Sequence, residues 1–178
     1  ADYSRSLGDD SESMIEYEKS SVKGKPESHI ELGKIYIQKN LYEFAVKEFD
    51  KAYSLYSVIY DNQDKYDLLA NMVIVRYKLI YESPYADIKT DGNINFRKKY
   101  SDDAILYGKK ALRLKNDDSN LLYILARLYC DSDKPDDIAA QKYLTKSLEA
   151  DTENVDAMLL MAQLYFKHRN KTKTQEYV

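Results

Sequence analysis

The feature that most limits how this chain can fold is a spacing that recurs along it. The stretch from His29 to Ala52 sets Leu32, Gly33 and Tyr36 ahead of Ala45, Phe49 and Ala52, with a short polar break at Gln38 to Asn40. Within each set the steps are helical, so the stretch reads as two amphipathic helices joined by a tight turn. Related sets follow: Leu69, Ala70 and Val73 precede Ala104 and Ala111; Leu125, Ala126 and Tyr129 precede Ala140, Leu144 and Ser147; Met161, Ala162 and Tyr165 precede Thr174 and Val178. Ala111 lies 14 positions before Leu125, and Ser147 again lies 14 before Met161. Such units bury their apolar faces by stacking on one another.

The small residues of these sets fall into columns. Gly33, Ala70, Ala126 and Ala162 share one, Ala45, Ala104 and Ala140 a second, Ala52 and Ala111 a third, with Thr174 and Ser147 at the remaining places. Small side chains let two helix axes approach toward the short end of the ~8 to 10 Å range, so the columns mark a seam between helices. The pattern L-G-x2-Y followed by A-x3-F-x2-A resembles the tetratricopeptide repeat, a helix-turn-helix unit of about 34 residues. The resemblance implies an all-α fold, a right-handed superhelical solenoid of antiparallel helix pairs. Repeats are then expected at 26–59, 63–118, 119–154 and 155–178, the last stopping halfway along its second helix, as in a fragment or a longer array. The second carries an insertion of ~15 to 20 residues at about 82–98, relative to the family's unit.

Several local expectations accompany this reading. Residues 1–25 are a polar lead-in in which Ser13, Tyr17 and Ser20 repeat the offsets of Ala45, Phe49 and Ala52. They are either the second helix of a preceding half-repeat or a solitary capping helix. Pro26 suits a first helical turn, and the second helix of the first unit is expected to run on toward Tyr60, before an N-cap signal at Asp61-Asn62. Ser83-Pro84 should end a helix, and Asp91-Gly92 offers a two-residue β-hairpin turn, with Ile88 on one face and Ile94 and Phe96 on the other. Departures from the family pattern are His29 in place of Trp, Ser57, Asn116 and Thr152 in place of the loop Pro, and Gly108 in place of a bulky residue. Gly108 should leave a hole, which Phe96 or Tyr100 is expected to cover.

Composition excludes some functions. A net charge of −3 and a pI near 5.5, with Arg97-Lys98-Lys99 the longest basic cluster, lack the footprint of a nucleic-acid binder. No run is long and apolar enough to insert in a bilayer, no signal-peptide core is present, and one cysteine, Cys130, rules out an intrachain disulfide. The compartment stays open, with the cytoplasm favoured over export. His29 and His168 have no ligand-spaced partners, and Asp131-x-Asp133 and Asp87-x3-Asp91-Gly92 lack the alternating oxygen set of a calcium loop. No phosphate-cradling glycine loop or nucleophile elbow occurs. The chain is read as a non-enzyme with no cofactor and no metal.

The resemblance implies a concave groove lined by the first helix of each repeat, where partner peptides commonly bind. Carried over unit by unit, the lining positions are Glu27, Ile30, Lys34 and Ile37; Asp64, Asp67, Asn71 and Ile74; Asn120, Tyr123, Arg127 and Cys130; Asp156, Leu159, Gln163 and Phe166. Lys34, Asn71, Arg127 and Gln163 form a polar ladder that can hold an extended segment, while Ile30, Tyr123, Leu159 and Phe166 add apolar contact. Ile30 and Lys34 depart from the carboxylate clamp of chaperone-tail binders, which disfavours such tails. The bland alternative is that these polar residues are simply solvated. The expected function is a protein-interaction scaffold or adaptor; the alternatives are an architectural subunit of a large assembly, of secretion or motility type, and a regulatory module of a larger enzyme.

Overall fold

The computed structural model describes residues 24–83, 91–132 and 134–176, with side chains described from 94 onward in the fourth helix and through 169 in the last. Its described residues form seven α-helices and no strand: α1 (Pro26–Gln38), α2 (Tyr42–Ser54), α3 (Asn62–Tyr81), α4 (Asp91–Leu114), α5 (Ser119–Cys130), α6 (Asp137–Ala150) and α7 (Val155–Glu176). Local chemistry sets the boundaries. Pro26 opens α1, and Asn40, at φ 58°, makes the turn into α2 in a left-handed conformation that asparagine tolerates better than most residues. Asp61, Asp118 and Asp136 cap α3, α5 and α6 by accepting backbone N–H bonds from Gln63 and Asp64, from Leu121, and from Ala139. Asn154 likewise accepts from the Ala157 N–H at the start of α7.

The helices pair in sequence, α1 with α2, α3 with α4 and α5 with α6, and each pair stacks on the next. The backbones of successive first helices approach one another, α1 with α3, α3 with α5 and α5 with α7, whereas the second helices α2 and α4 meet through longer side chains, the Tyr53 and Tyr107 rings at 5.1 Å and Lys110 Nζ donating to the Tyr53 hydroxyl. The first helices therefore form the inner row of the stack. The seam columns are where the pairs meet: Ala45, Ala52, Ala104, Ala111, Ala126, Ala140 and Ser147 are fully buried. A Cβ on Gly33 would stand 2.6 Å from two ring carbons of Phe49, so only glycine admits that ring. Arg76 pins α3 to its neighbours. Its buried guanidinium binds Asp50 of α2 at 2.6 Å, lies 4.0 Å from Asp103 of α4 and rests over the Tyr107 ring at 4.9 Å.

The structure corrects four local expectations. The second helix of the first unit ends at Ser54 and passes through a short 3-10 turn, Tyr56–Val58, instead of running on to Tyr60. Ile59 still reaches the core. Asp91-Gly92 is no β-hairpin turn: both residues belong to α4, whose Phe96, Tyr100 and Tyr107 pack at helical spacing against the first core cluster. Ile88 lies outside the described residues, as do residues 1–23. Gly108 leaves no hole for Phe96 or Tyr100 to cover, because Leu125 of α5 already fills it; an added Cβ would meet Leu125 Cδ2 at 2.6 Å. Finally, the fourth unit shows no turn into a second helix, since α7 continues to Glu176. Arg169 stands where Asn40 turns the first unit, and arginine has no comparable tolerance for left-handed backbone.

Candidate functional site: the inner face

Only part of the predicted lining is open. Ile30 is 7% exposed and belongs to the first core cluster; Ile37 and Ile74 are half-buried against core clusters. Glu27, Asp64, Asn120 and Asp156 are exposed. Lys34 is engaged by Glu31 at 2.7 Å. Asp67 accepts from Gln63 Nε2, and Asn71 Nδ2 donates to the Asp67 carbonyl, both at 2.7 Å. On α7, Gln163 is exposed and Leu159 and Phe166 are 58% and 68% exposed.

The inner face comes together most closely where α3 meets α5. Tyr123 touches both the second and third core clusters, and its hydroxyl lies 3.4 Å from that of Tyr77. The Tyr77 and Tyr81 rings pack at 4.6 Å. Arg127 Nε meets Asp131 Oδ2 at 2.9 Å while its guanidinium sits 5.6 Å over the Tyr81 ring, and the Tyr81 hydroxyl donates to the same carboxylate at 2.9 Å. Arg97 of α4 approaches the Tyr81 ring at 5.8 Å. The Arg127–Asp131 ion pair and the rings of Tyr77, Tyr81 and Tyr123 thus bring a charged pair and aromatic faces together on one stretch of the inner row.

Burial, then Asp131, pushes the Tyr81 hydroxyl well above the usual phenol range; burial, then Tyr123, does the same for Tyr77. Both stay protonated as hydrogen-bond donors. For Arg127, burial works against the charge, but Asp131 and Tyr81 outweigh it and the guanidinium is held more firmly protonated than usual. Burial, followed by Asp131, pushes the Cys130 thiol up to about 11, so it is an inert packer rather than a nucleophile.

Tyr77, Tyr81 and Asp131 are absent from the sequence-derived lining. Tyr81 lies seven residues after Ile74 and so continues its stripe, but on turns of α3 beyond the length of the other first helices of complete pairs: α3 has 20 residues, against 13 in α1 and 12 in α5. Asp131 sits one residue past α5. The histidines are structural: His29 Nδ1 bonds Glu48 Oε2 at 2.7 Å, tying α1 to α2, and His168 Nε2 lies 3.5 Å from Asp137 Oδ2.

Among solved structures, MamA superposes over 99% of this chain and 88% of its own, with a TM-score of 0.64 and 18% identity. The fold is a tetratricopeptide-type solenoid. A second solved structure, "YrrB: a TPR protein with an unusual peptide-binding site", aligns loosely, with a TM-score of 0.34 and 16% identity over 86% of this chain and 84% of that one. No protein-family model matches the chain, and no curated protein matches it. In this tetratricopeptide-type fold the first helices are α1, α3, α5 and α7. Among the described residues, no helix is long and apolar enough to cross a membrane.

Proposed function

We propose that the chain is a non-enzymatic scaffold that holds an extended protein segment along the inner row of helices. The observation that carries this reading is the cluster of Tyr77, Tyr81, Tyr123 and Arg127 between α3 and α5, where aromatic faces and a guanidinium share one stretch of surface. Flat aromatic rings contribute contact area at low entropic cost, and arginine reads carboxylates and carbonyls. Asn71 on one side and Gln163 on the other extend the polar track, and Leu159 and Phe166 supply apolar contacts at its end. Lys34 and Glu27 belong to the same track at α1, with Asp67 beside Asn71; Ile30, buried in the core, holds α1 in place beneath it.

The test is a selection of displayed random peptides on the immobilised chain, followed by binding to the double variant Arg127→Glu, Asn71→Ala. Peptides selected through the groove should lose at least tenfold in affinity. Unchanged binding would remove the groove reading. A second reading, an architectural subunit packing through its edges, is favoured by the open apolar stripe on α7: Val155 is 60% and Met158 42% exposed.

A further inference from the structure

The tyrosine hydroxyls differ in what they meet. Those of Tyr42, Tyr66 and Tyr81 each donate to a carboxylate, of Glu82, Asp118 and Asp131 respectively. A donated bond keeps the proton on the phenol, and burial, followed by these carboxylates, raises all three hydroxyls above the ordinary phenol range. Tyr53 of α2 stands the other way round. Its hydroxyl accepts from Lys110 Nζ of α4 at 2.5 Å.

That ammonium is held in place by aromatic faces. It lies 5.2 Å over the Tyr53 ring and 5.9 Å over the Tyr107 ring, and the Tyr53 ring packs at 5.1 Å against Tyr107 and at 5.4 Å against Tyr56. Tyr53 and Lys110 are half-buried, and the Tyr53 ring packs against the first two core clusters together. A cation bonded to a phenol oxygen stabilises the negative charge that the oxygen develops as it attacks an electrophile. Tyr129 also accepts from a lysine, and the bond holds Lys109 more firmly protonated than usual. Lys109 is exposed, however, and the Tyr129 ring is stacked on Tyr143 at 5.6 Å and 15°.

We propose that Tyr53 is a covalent modification site, a nucleophilic phenol that takes arylsulfonyl groups from sulfonyl fluorides with Lys110 as its activating cation. The phenol oxygen attacks the sulfur; the O–S bond forms as the S–F bond breaks, fluoride leaves, the phenol proton passes to solvent, and nothing is oxidised or reduced. Lys110 keeps its charge throughout. The product removes the phenol proton and burdens the contact that joins α2 to α4. The site lies on second helices and does not depend on the groove reading.

Limited labelling of the folded chain with benzenesulfonyl fluoride, read by mass spectrometry of the digest, tests it. Tyr53 should react about tenfold faster than Tyr60, which is 88% exposed and has no cation over its ring among the described residues. Lys110→Met should bring Tyr53 down to the rate of Tyr60 or below, while Lys110→Arg, which keeps a cation, should retain most of the advantage; circular dichroism should show both variants as helical as the parent. In concentrated urea, which separates α2 from α4 without any substitution, the parent's Tyr53 should react no faster than its Tyr60. Labelling of Tyr60 or Tyr129 ahead of Tyr53 in the folded parent overturns the proposal. So does a label on Lys110 in place of Tyr53, a Tyr53 rate unchanged in Lys110→Met, or an advantage that survives urea.

Discussion

The first helix pair and the last helix carry the same residue pattern and meet opposite fates. In α1 and α2 the small column is closed: the Phe49 ring rests on Gly33, and the His29 imidazole is bonded to Glu48 across the seam. In α7 the matching positions, Met158, Ala162 and Tyr165, are exposed. The pattern therefore marks a surface that needs a partner helix, and does not itself supply one. A repeat's stability is shared with its neighbours, so equivalent substitutions in the two regions should behave differently.

The largest contrast is expected at Phe49. Phe49→Ala should cost about 3 to 5 kcal/mol in urea unfolding, because it empties a fully buried site whose walls are two helices. Close behind, Leu122→Ala in α5 should cost about 2 to 5 kcal/mol, whereas the equivalent Met158→Ala in α7 should cost under about 1 kcal/mol in the monomer. Equal losses would mean that α7 is covered in solution. Gly33→Val should destabilise by about 1 to 3 kcal/mol through its clash with Phe49, while Ala162→Val should stay within about 0.5 kcal/mol.

A smaller effect is expected at high pH, where the interior between α3 and α5 should give way. Burial, reinforced by Asp118, Tyr123 and Asp131 respectively, raises the hydroxyls of Tyr66, Tyr77 and Tyr81 above their ordinary 10.0. Their contribution is complete below that value and is lost as pH climbs past it, because the unfolded chain releases these protons first. Urea midpoints should therefore hold up to about pH 9 to 10 and fall beyond, with the phenolate absorbance appearing late and together with unfolding. The smallest expected change is Glu48→Gln, which leaves the shape of the His29 contact but removes its charge; a loss near 1 kcal/mol is expected from the same urea curves.

The expected lining came from the family resemblance, which names positions along the first helix of each unit. Carried over in that way, Asn71, Tyr123, Arg127 and Gln163 fall on α3, α5 and α7. Ile30 fits the same count yet packs into the core, since the register of a stripe does not say how closely the neighbouring helix approaches. Tyr77, Tyr81 and Asp131 escaped the count because α3 outruns the unit length and Asp131 lies beyond the helix end. Their juxtaposition with Arg127 depends on how α3 and α5 cross, a relation between residues 46 to 50 positions apart.

By itself the sequence determined the helices, their pairing and the seam columns, because those rest on contacts that recur within a turn or across one short loop. Tertiary structure alone decided that Leu125 fills the space above Gly108 and that Asp91 and Gly92 open a helix instead of turning a hairpin. Each of those outcomes turns on which distant surface is available to bury an apolar face, and local propensity is too weak to settle it against packing worth several times more.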